Sequence, residues 1–234
     1  MVPAHGAPAA MDLLRERPEI PFGIHLTLVC DFPSHPWAPV IPRAQVPSLL
    51  DRAGQLYRPD DKGRLLEQAR IAEVELELRA QIDTVLAAGL APTHLDWHCL
   101  ADGGRADLFE LSLTLAEEYG LAARVWLEPG LSTVRERGRP VIDHRFLDSF
   151  ALDLDGKAAR YAELLRELPA GLSEWAVHPA IADEGSRAMD RGWPVRQSDY
   201  EFLTSPQARD IVQQEGIVII DYRGIQQLWR RAHG

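Results

Sequence analysis

Short apolar runs alternate along the chain with longer segments in which apolar residues recur every three or four positions. Side chains of a strand alternate between two faces, whereas a spacing of three or four places them on one face of a helix. Repeated alternation of these two patterns is typical of a parallel sheet covered by helices. The chain is therefore predicted to be an α/β protein.

The predicted helices and strands follow one another over most of the length. The clearest helix covers residues 62–88, and Gly89 is well placed to end it. The other predicted helices cover residues 8–17, 105–119, 143–150, 156–167, 205–214 and 223 onward. The predicted strands cover residues 22–29, 93–97, 123–127, 173–178 and 217–221, and a proline-rich loop covers 32–47. No linker divides the sequence, so we predict one domain over residues 1–234.

Acidic residues dominate the charge, which is −10 from 35 Asp and Glu against 25 Lys and Arg. No stretch concentrates basic residues as a phosphate backbone requires, so nucleic acid is not expected as a partner. No apolar run reaches the roughly 18 to 20 residues that cross a bilayer, and the first residues lack a secretory pattern. These features favour the cytoplasm and no membrane contact. The two cysteines, Cys30 and Cys99, cannot form a disulfide framework and lack a close-paired ligand spacing such as C-x-x-C, so both are expected to be reduced, buried thiols.

One predicted strand carries metal-binding side chains on a single face. The alternation of a strand places His94, Asp96 and His98 on one face and Leu95 and Trp97 on the other. A parallel strand covered by helices is expected to be apolar on both faces, so three polar side chains there require a partner or a function. They form either a buried hydrogen-bonded network or part of a metal site.

Further candidate residues lie on other predicted strands. His25 lies within the strand at 22–29, where a lone histidine is also typical of a structural core residue. His178 and Asp221 lie at the carboxyl ends of their strands, which in (β/α) barrels form the rim that carries the active site. A catalytic metal site uses about three His or carboxylate ligands and allows amide cleavage without a Ser or Cys nucleophile. Because the sequence contains no G-x-S-x-G, P-loop or G-x-G-x-x-G motif, metal-dependent hydrolysis is the predicted chemistry.

Three segments resemble those of a known family. The first segment, Gly23-Ile24-His25-Leu26-Thr27-Leu28, matches the family's Gly-x-His-Leu-x-Leu strand. The second, Pro92-Thr93-His94-Leu95-Asp96-Trp97-His98, matches its Pro-Thr-His-x-Asp-x-His strand. The third matches its carboxyl-terminal signature and consists of Trp175-Ala176-Val177-His178-Pro179 with Arg196 and residues 200–206. The sequence thus resembles the YdjC-like carbohydrate deacetylases, which include chitooligosaccharide and hopanoid-type deacetylases.

The resemblance implies a fold, a cofactor and a reaction. The implied fold is a distorted (β/α) TIM-like barrel, and the implied cofactor is one divalent metal ion, Mg²⁺ or Zn²⁺, with His25 and His98 as ligands. The implied reaction removes the acetyl group from an N-acetylated amino sugar. His178 is then the candidate acid that protonates the leaving amine, and Asp96 is the candidate residue that orients a metal ligand.

The sequence departs from the family at two places. The family opens with a strand that ends in an Asp-Asp pair, which supplies a metal ligand and the general base. Here Met1-Val2-Pro3 resembles the end of the family's second strand, so the first β-α unit is expected to be missing. Leu100 stands where the family often has a further histidine. Metal affinity is then expected to fall, leaving this form weakly active or inactive, unless Asp96, His94 or Asp221 takes the vacant place.

Two other functions stay open at this point. A barrel that lacks one strand has an open edge, which favours a partner chain such as a second copy in a homodimer. The absent Asp-Asp pair leaves open a non-catalytic carbohydrate-binding or partner subunit of the same fold. A metal-dependent sugar isomerase also uses His and carboxylate groups at the mouth of a barrel. The three matching segments favour the deacetylase over both alternatives.

Overall fold

The computed structural model describes residues 1–32 and 34–231, which divide into two compact units. The first unit comprises Met1–Val141 and the chain from Asp221 onward, and the second comprises Ile142–Ile220. Each unit combines helices with a small parallel sheet, so the α/β prediction is confirmed in this general form. In the described part of the chain, the strands form two separate sheets and no closed barrel.

The sheet of the first unit has the order β1-β2-β3, with β1 at Ile24–Leu26, β2 at His94–Trp97 and β3 at Ala122–Ala123. All three strands are parallel, and His25 lies opposite Asp96 in the register of β1 and β2. Parallel strands end at the same edge of a sheet. The residues that follow β1 and β2 therefore lie near each other.

Helices make up about half of the described chain. They are α1 (Ala7–Glu16), α2 (Lys62–Gln68), α3 (Ile71–Ala87), α4 (Ala106–Glu118), α5 (Gly130–Glu136), α6 (Lys157–Arg166), α7 (Glu184–Met189), α8 (Trp193–Leu203), α9 (Pro206–Gln214) and α10 (Tyr222–Arg231). The described residues contain no helix that is both long and apolar enough to cross a membrane.

The core of the first unit forms where α3 packs on β1 and α4 packs on β3. The predicted apolar stripe of α3 faces this core, with Val74, Leu78 and Ile82 fully buried, whereas Ile71 at the start of the helix is exposed. Burying an aliphatic side chain of this size contributes roughly 1.5 to 3 kcal/mol. The stripe therefore fixes the position of α3 against the sheet.

Two polar side chains of α3 hold the chain that follows β1. The Gln81 amide donates to the Thr27 carbonyl at 2.8 Å and accepts from the Thr27 N–H at 3.0 Å. The Glu77 carboxylate accepts from the backbone N–H groups of Val40 and Ile41, both at 3.0 Å. Both α3 side chains are completely buried, so these contacts replace the hydrogen bonds to water that the polar groups lose on folding. The helix thereby anchors both the end of β1 and the proline-rich loop.

The predicted helix at 62–88 is interrupted, giving α2 and α3. Ala69 and Arg70 have extended ψ angles of 122° and 129°. The reason is a competing contact: the Arg70 N–H donates to the Ser48 hydroxyl at 3.0 Å instead of continuing the helix. The loop at 32–47 and the turn after it thus determine where α3 begins.

The second unit contains the parallel pair β4 (Leu147–Asp148) and β5 (Trp175–Ala176). The prediction of a helix at 143–150 is therefore wrong. The side chain of Asp148 accepts from the Phe150 N–H at 2.9 Å, which closes a tight 3-10 turn in place of helical hydrogen bonds. The short helices α5, α7 and α8 lie in segments for which no helix was predicted.

The predicted strand at 217–221 is also absent, as residues 217–220 carry no regular secondary structure. Val218 and Ile219 are 80% and 79% exposed. A strand forms only beside another strand that accepts its hydrogen bonds, and neither described sheet extends to this segment. The predicted strand at 123–127 is longer than the observed β3, and its last residue instead donates its N–H, that of Leu127, to the Asp102 carboxylate at 3.0 Å. The prediction of a single domain over residues 1–234 stays a prediction.

Candidate metal centre

The ends of β1 and β2 bring the two predicted metal ligands together. The His25 and His98 rings are 5.1 Å apart between centroids and meet edge to face at 67°. His25 Nδ1 lies 2.8 Å from Asp96 Oδ2, and the Arg124 guanidinium donates to the same oxygen at 2.9 Å. The side chains of His25 and Asp96 therefore make the contact that their register on neighbouring strands allows.

Asp96 is a carboxylate at neutral pH. Burial by itself would raise the pKa of Asp96, but the hydrogen bond from His25 and the charges of His25 and Arg124 together lower that pKa below its usual range. The contact uses Nδ1 of the His25 ring, so Nε2 is the nitrogen that can bind a cation. A carboxylate that holds a histidine in this way is the common arrangement behind a metal ligand.

A second set of donor atoms surrounds His98. Its Nε2 lies 3.5 Å from Asp31 Oδ1 and 3.5 Å from Cys99 Sγ, and the three donor atoms all lie within 4.8 Å of one another. The Trp37 ring lies 5.7 Å from the His98 ring, and His98 is only 5% exposed. His25 is adjacent through its ring contact but is not one of these three donors.

The backbone after β2 adopts an unusual turn at this cluster. The Leu100 N–H donates to the His98 carbonyl at 2.8 Å, and Cys99 between them has a φ of 57°. A γ-turn with a positive φ is rare and strained, and residues with a Cβ seldom adopt it. Asp102, three residues further on, also has a positive φ of 45°. Such strain is concentrated at functional sites in proteins.

His94 and Asp221 do not join this cluster. The His94 ring stacks on Tyr222 with centroids 3.9 Å apart, and its Nδ1 lies 2.9 Å from the Thr93 hydroxyl. Burial lowers the pKa of His94 to about 4, so this ring is neutral at pH 7. A Cβ added to Gly23 would come within 2.4 Å of His94 Nε2, which explains the glycine there. Asp221 forms an ion pair with Arg223 at 2.6 Å.

Asp31 and Cys99 were not among the predicted site residues. Asp31 follows the apolar run at 22–29 after one intervening residue, and Cys99 follows His98 directly. Their place just past the ends of β1 and β2 was the available signal. Cys30 is buried as predicted, but Cys99 is exposed and that prediction is wrong. Neither cysteine is in a disulfide.

His178 belongs to the second unit and lies two residues after β5. Its Nδ1 is 3.1 Å from the Ser149 hydroxyl, its backbone N–H donates to Asp199 at 2.9 Å, and the Phe150 ring meets it edge to face at 4.9 Å. The ring and the backbone of His178 are thus both held. Its predicted role as the catalytic acid stays a prediction.

The carboxylate that holds His178 is part of a buried ion pair. Lys157 Nζ lies 2.8 Å from Asp199 Oδ1, and the side chains are 1% and 0% exposed. The Tyr161 hydroxyl donates to the same oxygen at 2.8 Å. Burial would raise the pKa of Asp199, but Lys157 and the other donors lower it, while burial and the carboxylate raise the pKa of Tyr161. A buried charge of this kind is stable only with its partner in place.

The donor chemistry at His98 fits a divalent cation. Imidazole, carboxylate and thiol side chains are the usual ligands of zinc and of transition metals, and catalytic metal sites use about three of them. The described residues around His98 supply one of each. The ends of β1 and β2 therefore form a candidate metal centre.

Known proteins resemble this chain in sequence. The family model described as YdjC-like protein matches residues 1–214. A carbohydrate deacetylase of Thermus thermophilus is 35% identical over 202 residues, which cover 81% of this chain and 72% of the relative. A carbohydrate deacetylase of Geobacillus stearothermophilus is 30% identical over 221 residues, covering 94% of this chain and 82% of the relative.

A solved structure is similar as well. It is that of an Enterococcus faecalis protein to which cellobiose-phosphate cleavage has been ascribed, with a TM-score of 0.76 at 25% identity. The match covers 93% of this chain and 82% of the other. The family model covers most of the chain and both sequence relatives reach at least 30% identity. The chain belongs to the YdjC-like family.

Proposed function

We propose that the protein is a carbohydrate N-deacetylase, which uses one divalent metal ion to hydrolyse the acetamide group of an N-acetylated amino sugar. One observation carries the proposal. In this YdjC-like chain, neighbouring strands bring the ring centroids of His25 and His98 to 5.1 Å from each other, and the Asp31 carboxylate lies beside His98. The names of the sequence relatives support the reaction class. The order of strands and helices also supports a distorted (β/α) barrel as the proposed fold.

His98 and Asp31 would hold the cation, with Nε2 of His25 beside them. When bound, a divalent cation polarises the acetyl carbonyl and lowers the pKa of water, so that amide cleavage needs no Ser or Cys nucleophile. Asp96 keeps Nδ1 of His25 occupied, which fixes the orientation of that ring.

His178 would protonate the leaving amine. Water adds to the acetyl carbon, the C–N bond breaks, and the sugar nitrogen takes a proton as acetate departs. An imidazole is the side chain best suited to give that proton near neutral pH. The contact of Nδ1 with the Ser149 hydroxyl holds the His178 ring in a fixed orientation.

Acetate release tests the proposal. The 234-residue chain is stripped with a chelator and incubated with N,N′-diacetylchitobiose, either alone or with added Zn²⁺ or Mg²⁺. We expect acetate and free amine in equal amounts only with metal, and loss of turnover in His98→Ala. If no acetate forms with any metal, the hydrolase proposal fails. Conversion of an aldose to a ketose without acetate would instead favour the isomerase.

A further inference from the structure

We propose that Cys99 is a thiolate ligand of the metal centre, together with His98 and Asp31, and that the sulfur makes this site select a zinc-like cation over magnesium. The inference rests on the proposed function, since it names the ligands and the metal class of the same site. His25 and His98 are the ligands that the family resemblance implies, whereas Cys99 and Asp31 are indicated by the position of their side chains.

The spacing of the donor atoms matches that of ligands to a single ion. His98 Nε2 lies 3.5 Å from both Asp31 Oδ1 and Cys99 Sγ. Zinc binds nitrogen at roughly 2.0 to 2.1 Å and sulfur at about 2.3 Å, so two of its ligand atoms lie roughly 3.3 to 3.8 Å apart. The three donor atoms all lie within 4.8 Å of one another, so one cation can be shared among them once the side chains adjust around it.

The turn after β2 positions the Cys99 thiol beside His98. The hydrogen bond from Leu100 to the His98 carbonyl folds the chain back at Cys99, whose φ of 57° is unfavourable for any residue with a side chain. Cys99 is exposed while His98 is buried, so Cys99 lies at the solvent-facing edge of the donor set. A cation from solution can reach the donor set from that side.

The ligand types decide which cation is preferred. Mg²⁺ takes oxygen ligands and keeps several waters, whereas thiolate and imidazole suit zinc and later transition metals. Binding exchanges the S–H proton of Cys99 for the cation, and the proton passes to the buffer without any change of oxidation state. The carboxylate of Asp31 and the thiolate then balance the two positive charges of the ion.

Cobalt absorption tests the proposal independently of catalysis. The metal-free 234-residue chain is titrated with Co²⁺, and we expect a near-ultraviolet sulfur-to-cobalt charge-transfer band that persists in excess Mg²⁺. Cys99→Ser should lose the band, and its affinity for Co²⁺ should fall. Loss of a residue that only orients a metal ligand lowers metal affinity about 10–100-fold, and loss of a ligand should lower it at least as much. Cys30→Ser is the matched control and should keep the band, because Cys30 is buried beside the Phe32 and His35 carbonyls.

Alkylation of the unaltered chain provides a second measurement that needs no variant. Zn²⁺ should slow the reaction of Cys99 with iodoacetamide, measured by mass spectrometry of the peptide, and Mg²⁺ should not. A band that survives in Cys99→Ser, or an equal alkylation rate with and without Zn²⁺, overturns the thiolate ligand even if acetate is released. If the charge-transfer band and the protection of Cys99 from alkylation are observed but no acetate is released, Cys99 is a metal ligand and the proposed deacetylase function is contradicted.

Discussion

The carboxylate of Asp96 lies between a histidine and an arginine, and this position determines how His25 can act. Its oxygen Oδ2 contacts both His25 Nδ1 and Arg124. The buried charge is balanced by these two partners, so Asp96 is already engaged and is poorly placed to bind a metal directly. Its contribution is to orient and polarise the imidazole of His25.

Replacing Asp96 should therefore weaken metal binding without removing a ligand. For Asp96→Asn we expect the affinity for Zn²⁺ to fall about 10–100-fold, because the His25 ring loses its charged partner. Competition with a chromophoric chelator measures this affinity. Asp107→Asn is the control, since Asp107 pairs with Arg105 at the start of α4, away from the donor set. Equal affinities in both variants would contradict the positioning role.

Asp102 should make a contribution to the free energy of unfolding that decreases as the pH rises. Burial raises the pKa of Asp102 to about 6, although the backbone N–H groups of Leu127 and Trp126 oppose this. A carboxyl whose pKa is raised on folding favours the folded state below its unfolded pKa of 3.8, and this contribution is lost as the pH rises towards about 6.

We expect the free energy of unfolding of the wild type, relative to that of Asp102→Asn, to fall by about 1 to 3 kcal/mol between pH 4 and about 6. Above that range the difference should be constant. Urea unfolding at several pH values measures it. Asp107→Asn should show no such fall, because the pKa of Asp107 is lowered by Arg105 and titrates below this range. A constant difference for Asp102→Asn would show that its carboxyl is not buried as described.

At the residue scale, the sequence predicted which histidines approach each other but not the complete donor set. The family resemblance implied His25 and His98 as ligands, and their approach at one edge agrees with a strand period of two and a parallel order. Asp31 and Cys99 could not be predicted, since their positions depend on turns beyond the strand ends. The turn at Cys99 has a positive φ, which sequence patterns predict only for glycine or asparagine.

At the scale of elements, helices with a regular apolar stripe were predicted more closely than helices without one, although the longest predicted helix, at 62–88, is divided into α2 and α3. The predictions for α4, α6 and α9 were within one residue of the observed bounds at each end. Their apolar stripes pack on a core, so the pattern and the structure have the same cause. The helices α5, α7 and α8 are short or contain few apolar positions, and Asp148 replaced a predicted helix with a turn.

The buried pair between α6 and α8 should dominate the stability of the second unit. Lys157→Met leaves Asp199 buried without its cation, and we expect a loss of about 3 to 5 kcal/mol. Arg160→Met on the same helix removes an exposed pair with Glu163 and should cost less than about 1 kcal/mol. Denaturant unfolding compares the two. Similar losses in both variants would contradict the importance of the buried pair.

For the molecule as a whole, three segments were enough to indicate the family, whereas the strands of residues 1–32 and 34–231 form no closed barrel. Barrel closure depends on strand pairing between distant parts of the chain, and short motifs do not determine it. The segment at 217–220 shows this limit, because its β-branched residues predict a strand that the described sheets do not include.

This exposed segment should promote self-association. Val218, Ile219 and Ile220 are adjacent, apolar and exposed, which is the composition of an aggregation-prone strand. Ile219→Lys should raise the protein concentration at which light scattering first increases. Ile181→Lys is the control, because Ile181 is 64% exposed but has no such neighbours. If both variants behave like the wild type, the segment does not drive association.

The central claim is that the ends of two neighbouring strands form one metal site around His98, and the metal content of the purified chain tests it most directly. After equilibration with Zn²⁺ and removal of excess by gel filtration, we predict about one zinc per chain for the wild type. His98→Ala should retain less than about a tenth of that amount, while His94→Ala should retain it fully if folded. Equal zinc content in the wild type and His98→Ala would contradict the account.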